Sequence, residues 1–114
     1  MALEVQFLSG TVNMVDYTPA ADVPAGRVVV VGATPLIAHT AIPANRLGAA
    51  AVSGGIYQGV SGSAITAGAK VWWDDTLNRV TTTSAGNQVL GFLLPNSSAA
   101  AAGTNVQFIH DPAA

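Results

Sequence analysis

The chain has 114 residues, a net charge of −2, no cysteine, and only 9% charged residues against 50% hydrophobic ones. This length fits one domain, residues 1–114, and the missing cysteines exclude disulfides and thiolate metal sites. The four basic residues, Arg27, Arg46, Lys70 and Arg79, are scattered, so no basic stripe supports binding to nucleic acid.

Leu3, Val5 and Phe7 alternate with Glu4 and Gln6, which predicts a short half-buried strand. Ser9-Gly10 reads as a turn, followed by a weaker strand over residues 11–15. Residues 17–25 carry Pro19 and Pro24 and read as an extended loop that closes on the turn Pro24-Ala25-Gly26. Arg27-Val28-Val29-Val30-Val31 is the clearest strand, because β-branched residues fit a pleated surface. Its unbroken apolar character predicts burial on both faces. Gly32 ends it, residues 36–40 offer a short strand, and Ile42-Pro43-Ala44-Asn45 offers another turn.

The apolar stretch 49–57 reads as a strand in which Gly54-Gly55 predicts a bulge or a close backbone contact. Residues 59–63 read as a loop. Further strands are expected at 69–73, 79–83, 88–94 and 104–110, with a small-residue loop at 96–103. Turn signals at this spacing predict an all-β fold, a small single-domain barrel or sandwich with long loops. Residues 23–29 and 65–71 echo each other, each placing an Ala-Gly turn between an aliphatic residue and a strand. The alanine- and glycine-rich composition accounts for that echo as well as a duplication would.

Charged residues in soluble domains average ~25%. A surface this poor in charge is weakly solvated and suits association with copies or a partner. The longest apolar run, 28–38, is too short to span a membrane and is broken by Gly32 and Pro35. The first residues lack the basic region and apolar core of a signal peptide. A product made in the cytoplasm, or packaged into something assembled there, is the expectation.

Catalytic patterns are missing. His39 and His110 are far apart in sequence and have no partner at metal-ligand spacing. Asp74, Asp75 and Asn78 are explained as hairpin-turn residues and do not follow a calcium-loop spacing. Gly59-Val60-Ser61-Gly62-Ser63 lacks the Gly-Lys-Ser/Thr end of a phosphate loop and the register of a nucleophile elbow. No cofactor, metal site or catalytic residue is assigned, and the chain is not read as an enzyme. Trp72 and Trp73 are adjacent in a strand and point to opposite faces. One belongs in the core, and the other meets solvent, a loop or another subunit.

The order of these pieces resembles the small phage capsid decoration, or cement, proteins, whose role is similar to that of lambda-like head decoration proteins. The resemblance is carried by Val5-Gln6-Phe7-Leu8-Ser9-Gly10, Ala25-Gly26-Arg27-Val28-Val29-Val30-Val31-Gly32 and Gly54-Gly55-Ile56-Tyr57. It continues through Gly68-Ala69-Lys70-Val71-Trp72-Trp73-Asp74, Val80-Thr81-Thr82-Thr83, Gly86-Asn87-Gln88-Val89-Leu90-Gly91 and Val106-Gln107-Phe108-Ile109. The block from Trp72 to Gly91 is its specific part. The chain departs from the pattern at Ala69, where many relatives have Asp, and at Gln58-Gly59-Val60, where many have Leu-Pro-Lys.

The resemblance implies a β-barrel or β-clip-like fold and a structural role on the outer surface of a phage head assembled in the host cytoplasm. The implied partner is the major capsid protein, with self-association as a homotrimer. Residues 1–10 are the candidate capsid-binding arm. The interface candidates are Val5, Phe7, Leu8, Tyr57, Trp72, Trp73 and Arg79. The alternative is a carbohydrate- or host-binding β module of a phage tail or fibre, in which aromatics such as Tyr57 and Trp73 stack on sugars. An enzyme is the third reading and has no nameable catalytic group.

Overall fold

The computed structural model describes residues 4–114. It is all-β: the described residues form eight strands and no helix. In chain order these are β1 (Gln6–Tyr17), β2 (Val28–Val31), β3 (Thr34–Ile37), β4 (Gly48–Val60), β5 (Lys70–Asp74), β6 (Arg79–Thr81), β7 (Gln88–Leu93) and β8 (Asn105–His110). They make one curled antiparallel sheet in the order β2-β3-β4-β8-β7-β5-β6, with β1 paired to β4 off this path. The result is a half-barrel closed around its own apolar face.

The 13-residue β4 organises the sheet. One edge carries β1 along most of its length, from Gln58 to Gly48. The other is shared by β3, which meets it at Ala51, and β8, which pairs with residues 56–60. Small residues make this crowding feasible. A Cβ on Gly54 would lie 2.5 Å from Thr11 O, and Gly54 and Gly55 both have positive φ. Of the bulge or close backbone contact expected at Gly54-Gly55, the close contact is present, and the bulge opposite it lies on β1: between Ser9 and Val12, β1 runs one residue longer than β4.

Strand alternation places the core. In β8, Val106, Phe108 and His110 point inward, while Asn105, Gln107 and Ile109 point outward. Trp73, Tyr57, Phe108, Leu90, Val71 and Val80 fill the main core. Val23, Ala38 and Ile42 form a smaller cluster under Tyr17 and Val29.

Two sequence expectations are corrected. Ser9-Gly10 does not turn the chain; both residues lie within the continuous strand β1, where the bulges absorb Gly10's positive φ. The valine run is not buried on both faces either. Among the described residues β2 pairs only with β3, and burial fades from Val28, fully covered, to Val31, exposed. A run of valines reports β propensity, and an edge strand needs only one covered face.

The echo between residues 23–29 and 65–71 is a shared turn. Val23 and Ile65 each sit in an isolated antiparallel bridge. The turns that follow close with Arg27 N–H to Pro24 O at 3.3 Å and Ala69 N–H to Thr66 O at 3.1 Å. The same closure recurs from Arg46 to Pro43 and from Asn87 to Ser84. In all four the third residue, Gly26, Asn45, Gly68 or Gly86, has positive φ, the position that favours Gly or Asn.

Candidate interaction surface

The two tryptophans part as adjacent strand residues must. Trp73 is 1% exposed and lies in the core, its Nε1–H donating to Asp75 Oδ1 at 3.2 Å. Trp72 lies half-buried on the outer face, with Lys70 Nζ 5.4 Å from its ring centroid. Asp74 turns the chain after them by accepting from the N–H groups of Thr76 and Leu77, both at 3.0 Å.

Register builds an outer row around this point. Lys70 faces Phe92, Phe92 faces Ile109, Ile109 faces Ile56, and Ile56 faces Ser9. Directly opposed residues share a face, so the row crosses β5, β7, β8, β4 and β1. Phe92 and Ile109 are 37% and 39% exposed, and Ile56 is half-buried. Trp72 lies two residues from Lys70 on the same face and extends the row. Sequence reading did not single out Ile56, Phe92 or Ile109. The alternation of β8 carried the signal for Ile109. Phe92 was hidden, because Leu90 is an extra residue between the pairs Val71–Gly91 and Trp72–Val89 and shifts the alternation of β7.

The inner side of β1 and β4 holds an aromatic cluster. Tyr57 is fully buried, stacks on Phe108, and meets Phe7, His39 and His110 edge-on. Its hydroxyl is hydrogen-bonded to His39 Nε2. Burial raises the Tyr57 phenol well above its ordinary range and lowers the His39 imidazole. The phenol therefore stays protonated and is no nucleophile near neutral pH. His110 is buried, with Nε2 hydrogen-bonded to Pro35 O at 2.8 Å and, among the described residues, no partner for Nδ1. Nε2–H is thus the donor and Nδ1 carries the lone pair. Desolvation lowers its pKa, outweighing the Pro35 hydrogen bond and Asp111, which raise it. A cleft of about 240 Å³ opens beside Phe7, His39 and Tyr57, and a second of about 460 Å³ lies against Val23, Pro24, Ile42, Pro43 and Arg27. Among the described residues no group of three or more His, Asp or Glu is placed to hold a metal ion.

The seven interface candidates separate cleanly. Val5, Tyr57 and Trp73 are spent on the chain's own core. Phe7, Leu8, Trp72 and Arg79 keep accessible surface. Arg79 is partly tied down, because Nη1 donates to Ser61 O at 3.2 Å. Of the residues 1–10 expected as an arm, Met1, Ala2 and Leu3 lie outside the described residues. Those from Glu4 onward dock on their own chain: Glu4 Oε1 accepts Val28 N–H at 2.9 Å, Val5 N–H donates to Gly26 O at 3.0 Å, and Gln6 and Phe7 pair with β4.

No curated protein and no solved structure matches the chain. Residues 9–109, nearly its whole length, match a family model described as phage cement protein. That span contains every strand of the half-barrel except the first residues of β1 and the last of β8. With the motif order, the all-β sheet and the low-charge outer row in agreement, the chain belongs to the phage cement protein family.

Proposed function

We propose that the protein binds the outer surface of the phage head and clamps neighbouring major capsid protein subunits against one another. Membership of a cement family supports a structural role in the capsid. The observation that carries the finer reading is the outer row of Ile56, Ile109 and Phe92, flanked by Trp72, on strands held rigid by their neighbours. Such a face gives up little conformational entropy when covered, and many copies on one particle make weak single contacts sufficient. Phe7, Leu8 and Arg79 supplement this face. The free protein is a homotrimer made in the host cytoplasm and added to assembled heads. The sugar-binding alternative loses its footing, because Tyr57 and Trp73, the rings assigned to stacking, are buried.

The test is co-sedimentation of the purified protein with expanded heads that lack it, alongside a mass measurement of the free protein. Saturable binding at a fixed copy number per capsid subunit, with heads that then resist heat better, is the expected result. Heads that do not retain the protein overturn the reading, and a glycan-binding screen then takes its place.

A further inference from the structure

The sheet has three outer edges, and they are finished differently. β2 is four residues long, and Glu4 caps its Val28 N–H. β6 is three residues long, and its Val80 O accepts Gly62 N–H at 2.8 Å. β1 is 12 residues long. Among the described residues, no backbone group of β1 bonds to anything but β4. Its N–H and C=O groups on the far side therefore form an open row.

Two insertions interrupt the first half of β1, Leu8 and one residue between Ser9 and Val12. From residue 12 to 17 the strand itself runs without insertion, because the irregularity between Asn13 and Met14 places its extra residue, Val52, on β4. This run, Val12-Asn13-Met14-Val15-Asp16-Tyr17, has one charge and neither lysine nor proline. Met14 and Val15 are 43% and 38% exposed. Natural sheets guard long edges with charge, proline, bulges or a covering segment; here the bulges guard only the first half.

Building on the capsid-binding reading above, we propose that residues 12–17 accept an extended segment of the capsid protein as an added strand. Main-chain hydrogen bonds supply the affinity and side chains the selection. The incoming segment is low in charge, apolar opposite Met14 and Val15, and basic where it meets Asp16. A second copy of this chain is the weaker occupant. A six-residue strand pair with two exposed apolar side chains falls short of the ~800 Å² per partner that a stable free complex buries. On a head the same small contact is repeated and reinforced by the outer row.

The experiment compares wild type, Met14→Lys, Val15→Lys and Leu77→Lys for binding to heads lacking the protein. Leu77 is 65% exposed in the β5–β6 turn, away from the edge. A lysine on the edge weakens strand addition while the exposed site leaves the fold intact. The two edge variants are expected to bind about tenfold more weakly or worse, with unchanged melting temperature, and Leu77→Lys to bind as wild type. Edge variants that melt normally and bind as wild type overturn this proposal and leave the capsid-binding reading standing. An edge variant that breaks up a wild-type oligomer in the mass measurement assigns the edge to a second copy and also overturns it. Absent wild-type binding overturns the capsid-binding reading itself, and this proposal with it.

Discussion

Trp73→Ala and Trp72→Ala delete the same side chain from neighbouring positions, and their costs should differ several-fold. Trp73 is 1% exposed and touches the main core. Burying a tryptophan removes about 200 Å² from water, which at ~25 cal/mol per Å² is worth about 5 kcal/mol. Large-to-small core changes of this kind cost ~3–5 kcal/mol. The hydrogen bond to Asp75 adds little, because Asp75 is exposed. Trp72 is half-covered and its contact with Lys70 is solvated, so its removal should cost about 1 kcal/mol. Urea denaturation separates the two. With a slope of ~1.5 kcal/mol per M, the midpoint should fall by about 2–3 M for Trp73→Ala and by under ~1 M for Trp72→Ala. Equal midpoint shifts would refute the assignment of opposite faces. A Trp72→Ala shift that grows with protein concentration would place that ring in a contact between copies.

Stability should fall on acidification below about pH 6.5, the ordinary histidine value, because His110 is held neutral in the fold. The unfolded chain takes up the proton at that pH and the folded chain only at a lower one. The stability is thus complete above the unfolded value and is lost as pH falls. Melting temperatures between about pH 7.5 and 5.5 should show this slope, and His110→Gln should reduce it to the part that His39, also lowered by burial, supplies; a slope unchanged by the substitution removes His110 as a source. Gly91→Ala should prevent folding, since φ is +151° and a Cβ there runs into Ile109 O. Gly68→Ala, at φ +75° with nothing within 4 Å of its Cβ, should cost only about 1–2 kcal/mol. Circular dichroism melts of the two variants make the comparison, and a folded Gly91→Ala would contradict the close β7–β8 approach.

Much of the strand content was legible because propensity and turn chemistry are local. The strand expected at 69–73 became β5, one residue further along, and that at 104–110 became β8, one residue shorter at its start. The split of Trp72 and Trp73 followed from a period of two. The interface candidates were less legible. Val5 and Tyr57 looked like arm and surface aromatic, but each is covered by segments distant in sequence: Val5 beside Gly26, Tyr57 beside His39, Phe108 and His110.

The sequence by itself determined an all-β chain with glycine-marked turns and a glycine-marked close contact, few charges and a family's motif order, since each depends on residues close together in the chain. Only the tertiary structure decided which face and which edge remain free. Ile56, Ile109 and Phe92 form one row through pairings between residues up to 53 positions apart, Ile56 with Ile109, and one inserted residue such as Leu90 reverses which side chains face out. Among the described residues the backbone of β1 bonds to β4 alone, whose opposite edge is shared by β3 and β8, a set of long-range pairings that no local pattern in residues 6–17 encodes.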